Sequence, residues 1–273
     1  MQGFLRWSPP GGTLGTICQE AEARAAALEA RAHELEREAS IAAAAPSLAA
    51  SLRGTDVRLI AEVKRRSPSK GAIAPGLDAP EQARAYVEGG AAAISVLTEP
   101  AHFGGSPSDL RAVRAAVEVP ALKKDFHLLP IQLVEARALG ASAALLIARA
   151  LSPDRLREMT DTARRLELEV LVEVRDEAEL ERALECGATM IGVNNRDLET
   201  LVIEPATAER LIPRIPSSLL AIAESGVGTR GDVERYARCG ADAVLVGSSV
   251  SAAADPAQAT RALAGVPRRS RGD

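Results

Sequence analysis

Aromatic residues are scarce in this sequence, and their scarcity limits how the interior can be filled. Phenylalanine, tryptophan and tyrosine make up 2% of the 273 residues, whereas apolar residues as a class make up 47%. Alanine, leucine and valine must therefore fill most of the core, and the apolar fraction is ample for one. The length is close to the roughly 250 residues typical of a (β/α)8 barrel.

Long apolar runs and a strong charge imbalance are also missing. Nothing resembles a run of about 20 apolar residues, so no membrane span is expected. Residues 1–13 lack the apolar run of a signal peptide. The net charge is −4, with lysine and arginine scattered along the chain. This balance argues against nucleic acid or an anionic membrane as the main partner.

Cysteine and histidine are few and widely spaced. The cysteines are Cys18, Cys186 and Cys239, and no CxxC motif occurs. Their number and spacing predict free thiols in a reduced, cytoplasmic setting. The histidines are His33, His102 and His127. They have no metal-ligand spacing, so nothing in the sequence suggests a metal site.

What the sequence does contain is a repeat marked by glycine. Gly-Ala pairs begin at residues 90, 140, 187 and 240, and each pair follows a helical stretch and precedes a short apolar run. Each interval has room for two βα units, so about eight strands are predicted. They lie near 59–64, 92–98, 120–125, 143–147, 169–174, 190–194, 219–224 and 243–247. Predicted helix N-caps between them are Asp78, Ser152, Asp176 and Thr229.

The repeat favours a closed (β/α)8 TIM barrel of the α/β class over an open doubly wound sheet. No GxGxxG or Walker loop is present to favour the open sheet. We divide the chain into an N-terminal helical extension (1–54), a barrel domain (55–265) and a disordered tail (266–273). Within the extension, residues 14–45 predict an amphipathic helix that packs on the barrel or a partner. A coiled coil is less favoured, because alanine dominates its second seam position.

Charged and polar residues stand at the carboxyl ends of these strands, where barrel enzymes keep their active sites. Glu62 and Lys64 are two apart in the first strand and therefore point to the same face. The side chains of Lys123 and Lys124 point to opposite faces of their strand, so one faces the barrel interior and the other faces the helical layer. The other polar strand ends carry Asp125, Glu173, Asn194, Asn195, Arg196, Glu224, Ser225, Ser248 and Ser249. Their common location predicts one shared site.

Two further groups suggest what that site binds. Ser225-Gly226 and Gly247-Ser248 end the seventh and eighth strands, where many barrels bind phosphate; ordinary tight turns are the alternative. Phe103 and Phe126 fall just beyond strand ends and, with Pro68, could wall a flat apolar pocket or simply belong to the core.

These residues resemble the indole-3-glycerol-phosphate synthase family. The resemblance covers about residues 57–250 and is carried by LIAEVKRRSPSKG, AISVLTEPAHFGGS, PALKKDF, LLI, LVEVRDEAEL, IGVNNRDLETL, AIAESGV and VLVGSSV. It implies conversion of 1-(2-carboxyphenylamino)-1-deoxyribulose 5-phosphate to indole-3-glycerol phosphate, CO2 and water, in tryptophan biosynthesis. It also implies that no cofactor or metal is needed.

The resemblance assigns roles residue by residue. Lys124 is similar to the family's general acid, Lys64 to its carboxylate-binding cation and Glu173 to the group that orients Lys124 and transfers protons. Glu62 and Asn194 resemble groups that hold hydroxyls and lysines, and Glu62 is also a candidate base. Implied substrate contacts are Ser67, Pro68, Phe103, Phe126, Leu145, Arg196 and Glu224. The implied phosphate contacts are Ser225, Gly226, Gly247 and Ser248.

The chain departs from the family pattern at Leu48, where phenylalanine is common, and at residues 127–130. Two other functions compete with the synthase: a phosphate-binding isomerase that uses cysteine and aspartate, and a non-catalytic phosphate-ligand-binding barrel that acts through its N-terminal helix. The expected partner is a phosphorylated small molecule rather than nucleic acid or membrane. The chain is expected to be a monomer or a weak homo-oligomer.

Overall fold

The computed structural model describes residues 7–271, and its centre is a closed barrel of eight parallel strands. They are β1 (Arg58–Val63), β2 (Ala93–Leu97), β3 (Ala121–Lys124), β4 (Ala143–Ile147), β5 (Glu169–Val174), β6 (Met190–Asn194), β7 (Leu220–Glu224) and β8 (Ala243–Val246). Neighbours in the chain pair in the sheet, and β8 closes the ring on β1 with Arg58 opposite Ala243. The predicted barrel is confirmed, and the open sheet is excluded.

Helices cover the outside of the barrel. Those between and after the strands are α4 (Ala79–Glu88), α5 (Pro100–Phe103), α6 (Pro107–Ala116), α7 (Pro130–Ala138), α8 (Pro153–Arg165), α9 (Glu177–Glu185), α10 (Ala206–Leu211), α11 (Arg230–Arg238), α12 (Ser248–Ser251) and α13 (Pro256–Arg261). The loop after β1 contains a small hairpin of Arg66–Ser67 with Gly71–Ala72. None of the helices described is both long and apolar enough to cross a membrane.

The local signals behave as predicted. The glycines of the four Gly-Ala joins all have positive φ, between 77° and 95°, a conformation that ends a helix at little cost only for glycine. The side chains of Asp78, Ser152, Asp176 and Thr229 each accept a backbone N–H bond at the start of a helix. With helices ended and begun at these residues, the strands run parallel and their carboxyl ends lie on one side of the barrel.

The N-terminal extension forms three helices instead of one long helix. They are α1 (Gly12–Glu29), α2 (Ala32–Ile41) and α3 (Leu48–Ser51). The helical stretch predicted over residues 14–45 breaks around Ala30 and Arg31. A small cluster of Ala25, Leu35 and Ile131 joins the extension to α7. The helices therefore pack on the barrel, which is one of the two arrangements predicted for them.

The tail differs from the disordered segment predicted for residues 266–273. Val266 is buried, and its carbonyl accepts a 2.8 Å bond from Val57 N. Arg268 and Arg271 both pair with Asp242, which is buried between β7 and β8. Through these arginines the tail binds a buried carboxylate, and the composition of the tail alone does not reveal that partner. Residues 1–6 and 272–273 lie outside the described part of the chain.

Candidate active site

The carboxyl ends of the strands surround a cavity of about 290 Å3. Every residue to which the resemblance assigns a role lines it: Glu62, Lys64, Ser67, Pro68, Phe103, Lys124, Phe126, Leu145, Glu173, Asn194, Arg196, Glu224, Ser225, Gly226, Gly247 and Ser248. Six of the strands contribute residues directly, and the loops that follow strands contribute the others. Two other polar strand ends, Lys123 and Asn195, do not line it; Asn195 instead donates to the Glu224 and Ser225 carbonyls. Only a closed barrel brings residues so far apart in sequence around one space.

Glu62 and Lys64 form a tight ion pair on one side of the cavity. Lys64 Nζ lies 2.5 Å from Glu62 Oε1, and Ser95 Oγ donates a 3.3 Å bond to Glu62 Oε2. Burial acts to raise the pKa of Glu62, but the nearby lysine ammonium groups outweigh it and hold that pKa below its ordinary value. Glu62 is therefore ionised, and Lys64 has its counter-ion in place.

Lys124 lies among carboxyl groups of the cavity. Its Nζ is 3.4 Å from Glu173 Oε2 and 3.7 Å from Glu224 Oε2. Burial acts to lower the pKa of Lys124, yet the surrounding glutamates raise it above its ordinary value. Lys124 is thus a cation whose contacts are long enough for a substrate oxygen to compete for its protons.

Asn194 fixes the orientation of Glu173. Its Nδ2 donates a 3.0 Å bond to Glu173 Oε1, and its Oδ1 accepts a 2.9 Å bond from the backbone N–H of Arg196. Because both ends of the amide are occupied, one Glu173 oxygen is fixed and the other is left facing Lys124. Arg196 itself donates to the Leu201 carbonyl at 2.8 Å.

Glu224 is a carboxyl group of the cavity whose pKa is strongly raised. It is 1% exposed, and burial, with the charge of Glu173 as the next cause, raises the pKa of Glu224 to about 8. It is therefore protonated at neutral pH. Its Oε1 has no hydrogen-bond partner among residues 7–271, and a Cβ at Gly192 would collide with that oxygen. Glycine at position 192 is thus what makes room for the Glu224 carboxyl group.

A polar corner stands between the ends of β7 and β8. Ser225 and Gly226 both have positive φ, 63° and 81°, so the chain turns sharply there. A Cβ added at Gly247 would lie 2.5 Å from Glu62 Oε1 and 3.1 Å from Lys64 Nζ. Gly226 and Gly247 have no side chain, and Gly247 lies beside Lys64, a suitable arrangement for an anion.

An apolar wall faces this corner. The rings of Phe103 and Phe126 have centroids 6.2 Å apart and an interplanar angle of 37°, within the range of a favourable aromatic pair. Pro68 and Leu145 also line this wall. A flat ring can therefore bind at one end of the cavity while an anion occupies the other.

Sequence reasoning missed the residues that cover the cavity. Thr13, Leu14 and Ile17 of α1 line it, as do Leu198, Leu201 and Ile203 from the loop after β6. Thr13 N donates to the Glu199 carbonyl at 3.3 Å, which joins the two covering segments. An apolar residue on a helix face carries no signal of facing a ligand rather than the core. Lys70, an exposed lysine of the hairpin, also lines the cavity and was not singled out.

The two departures from the family pattern lie behind the cavity. Leu48 is fully buried in the core and does not line the space. Burial lowers the pKa of His127 to about 3, so its neutral ring donates from Nδ1 to the Leu145 carbonyl at 2.7 Å. His127 thereby supports a strand that contributes Leu145 to the wall.

One group of side chains within residues 7–271 has ligand atoms spaced for a metal ion: Glu20, Glu99 and His102, all within 4.8 Å of one another. Glu99 already accepts three backbone N–H bonds at the start of α5. Its oxygens are therefore engaged in capping, and the group does not line the cavity.

Comparisons with known proteins agree with this geometry. The family model described as indole-3-glycerol phosphate synthase matches residues 14–263. The chain is 54% identical over 214 residues to the enzyme of that name from Nocardioides sp., covering 78% of this chain and 82% of the relative. It is 48% identical over 256 residues to the one from Mycobacterium avium, covering 93% and 94%.

Solved structures with the same fold are more distant in sequence. A 3-hexulose-6-phosphate synthase from Salmonella typhimurium aligns with a TM-score of 0.62 at 18% identity, covering 76% of this chain and 96% of that one. A thiamine phosphate pyrophosphorylase from Pyrococcus furiosus aligns with a TM-score of 0.59 at 19% identity, covering 77% and 94%. At these identities the likeness establishes the barrel fold alone.

Proposed function

The chain belongs to the indole-3-glycerol phosphate synthase family, and from that premise we propose how its buried acids and bases divide the reaction. It is a carboxy-lyase of tryptophan biosynthesis that acts on a phosphorylated small molecule. The substrate is 1-(2-carboxyphenylamino)-1-deoxyribulose 5-phosphate. The reaction closes an indole ring and releases CO2 and water.

The proton balance of the reaction defines what the site must supply. Ring closure adds a proton to the ketone oxygen, and decarboxylation leaves the bonding electrons on the ring. Dehydration adds a proton to the departing hydroxyl and removes one from carbon. Two protons are donated and one is taken up, so the site needs an acid that is recharged and a base beside it.

The position of Lys124 among carboxyl groups carries the proposal. Its ammonium is the acid that protonates the ketone during ring closure, and Glu173, 3.4 Å away, orients it and transfers protons during dehydration. Asn194 holds Glu173 in the required rotamer. The charges are fixed before the substrate arrives, so they stabilise transient charge without reorganising.

The Glu62–Lys64 pair and Glu224 bind the rest of the reacting centre. Lys64 engages the substrate carboxylate until it leaves as CO2, and Glu62 positions Lys64 and holds a hydroxyl. Protonated Glu224 can donate a hydrogen bond to a second hydroxyl, which is supported by its unpartnered Oε1. Arg196 and Ser67 provide further polar contacts. Glu62 is also a candidate base, and the kinetics of a Glu62→Gln variant test that role.

The two ends of the cavity select the two ends of the substrate. Backbone N–H groups at Ser225, Gly226, Gly247 and Ser248 bind the phosphate. The anthranilate ring packs against Pro68, Phe103, Phe126 and Leu145. Binding at both ends brings the ring carbon and the ketone together near Lys124.

We extend the proposal to the organisation of the chain. Residues 55–265 act as the catalytic domain, and 1–54 serve as its cover. The protein works as a monomer or a weak homo-oligomer. A reducing, cytoplasmic setting is supported by the three free cysteines of the described chain.

The test is to mix purified protein with the carboxyphenylamino substrate and to follow indole fluorescence. We expect product to form at a rate proportional to protein concentration, without added metal or cofactor. A folded protein that binds inorganic phosphate but forms no indole product would instead favour the non-catalytic phosphate-binding barrel.

A further inference from the structure

Arg24 connects the covering helix to the barrel through two buried carboxylates. It lies on α1, and its side chain is 30% exposed. Its Nη1 is 3.4 Å from Glu99 Oε1, and its Nη2 is 2.8 Å from Asp125 Oδ1. One planar guanidinium therefore reaches two separate loops, the one after β2 and the one after β3.

Glu99 fixes the backbone of the first wall residue. Its carboxylate accepts bonds from Ala101 N at 2.9 Å, His102 N at 2.7 Å and Phe103 N at 3.0 Å. It is fully buried, so these bonds are sheltered from water. The orientation of the Glu99 carboxylate determines where α5 begins and hence where the Phe103 ring lies.

Asp125 does the same for the second wall residue. Its Oδ1 accepts a 2.8 Å bond from Phe126 N as well as the bond from Arg24. Its Oδ2 accepts a 2.6 Å bond from Thr98 Oγ1, which joins the two loops. The Asp125 carboxylate therefore determines where the Phe126 backbone leaves β3.

We propose that Arg24 is a positioning residue that sets the spacing of Phe103 and Phe126 and so the grip of the cavity on the substrate's aromatic ring. The inference rests on the proposed function, because it needs an anthranilate ring between or against these two side chains. Each carboxylate that Arg24 binds also accepts the backbone N–H of one wall phenylalanine. Without the guanidinium, nothing on α1 holds both carboxylates in their present orientation.

The experiment compares Arg24→Met with the wild-type enzyme. We expect KM to rise about tenfold while kcat stays within about threefold, because ring binding is lost equally in the ground and transition states. Two fragments separate the ends of the cavity: anthranilate probes the wall, and inorganic phosphate probes the corner at β7 and β8. We expect anthranilate to bind about tenfold more weakly and phosphate to bind within about twofold of wild type.

Two further variants separate positioning from general damage. Arg24→Lys keeps the cation but lacks the fork, so it should restore folding stability and regain only part of the anthranilate affinity. Arg31→Met is the matched control, since Arg31 pairs with the exposed Glu34 and not with either buried carboxylate, and it should leave KM unchanged.

The outcomes that would overturn the inference are distinct. Unchanged anthranilate binding in Arg24→Met would remove it, and so would equal weakening of anthranilate and phosphate. If Arg24→Met does not fold, full anthranilate affinity in Arg24→Lys overturns it, and partial affinity supports it. The two proposals can also fail separately. If the wild-type protein forms no indole product but Arg24→Met still binds anthranilate more weakly than wild type does, the proposed function is contradicted and the positioning role is supported.

Discussion

The barrel mouth and the layer between the sheet and its helices both bury lysine, but they hold it differently. Adjacent residues of β3 show the contrast. Lys123 points outward and lies 2.5 Å from Glu135 of α7, whereas Lys124 points into the mouth and has the carboxyl groups of Glu173 and Glu224 at 3.4 and 3.7 Å. A short, buried pair stabilises the fold, and a longer, shared contact leaves a proton donor that a substrate can reach.

The largest expected effect is on catalysis, from Lys124→Met. We expect kcat to fall about 10³-fold, as for loss of a general acid, and the free energy of unfolding to fall as well, because Glu173, whose side chain is 3% exposed, loses its cation. Indole fluorescence measures the rate, and urea denaturation measures the stability. A variant that retains more than a tenth of wild-type kcat would contradict the acid role and erase the contrast within β3.

The next effect is on stability, from Lys123→Met. This change leaves Glu135, which is 14% exposed, without its cation, and we expect the free energy of unfolding to fall by about 3 kcal/mol. The value of kcat should stay within about threefold. Lys123→Met combined with Glu135→Leu should recover most of the loss; no recovery would mean that the pair does not stabilise the layer.

Glu224 should give the mouth a pH dependence of stability. The pKa of Glu224 is raised from an ordinary value of 4.5 to about 8, so its contribution to stability is present below pH 4.5 and is lost as pH rises towards 8. Glu224→Gln stays neutral and should gain on wild type across this window by at most about 1.4 kcal/mol per pH unit. Urea melts at pH 5, 6.5 and 8 measure the difference, and a constant difference would contradict the raised pKa.

The smallest effect is expected where charge is exposed. Arg155 and Glu158 lie 2.8 Å apart on α8, but their side chains are 39% and 50% exposed. Arg155→Gln should change the free energy of unfolding by less than about 0.5 kcal/mol. A larger loss would show that the distance between the charges, rather than their burial, determines how much the ion pairs of Lys124, Lys123 and Arg155 contribute to stability.

The strand ends could be predicted because their signals are local. A glycine after each of four helices and a polar residue after each apolar run are enough to place Glu62, Lys124, Glu173 and Asn194 at one rim. Strand alternation likewise predicted that Lys123 and Lys124 face opposite layers. The fold and the membership of the site follow from such patterns once the ring closes.

What could not be predicted depends on contacts across the barrel. The raised pKa of Glu224 results from its burial beside Glu173, which comes from a strand about fifty residues earlier. The bonds from Arg24 to Glu99 and Asp125 join segments that share no motif. The break between α1 and α2 and the pairing of the tail with Asp242 are set by the surface each segment meets. No window of sequence contains that information.

The pairing of β1 with β8 also has a consequence for how the chain is made. One edge of β1 stays without a partner until β8 has been synthesised. The roughly 180 residues between Val63 and Val246 take about 10 to 40 s at ordinary translation rates. During that time an apolar strand edge is open to wrong partners, and the Glu62–Lys64 pair lacks the corner that Gly247 and Ser248 complete. We therefore expect a chain that stalls before Val246 to have no catalytic activity.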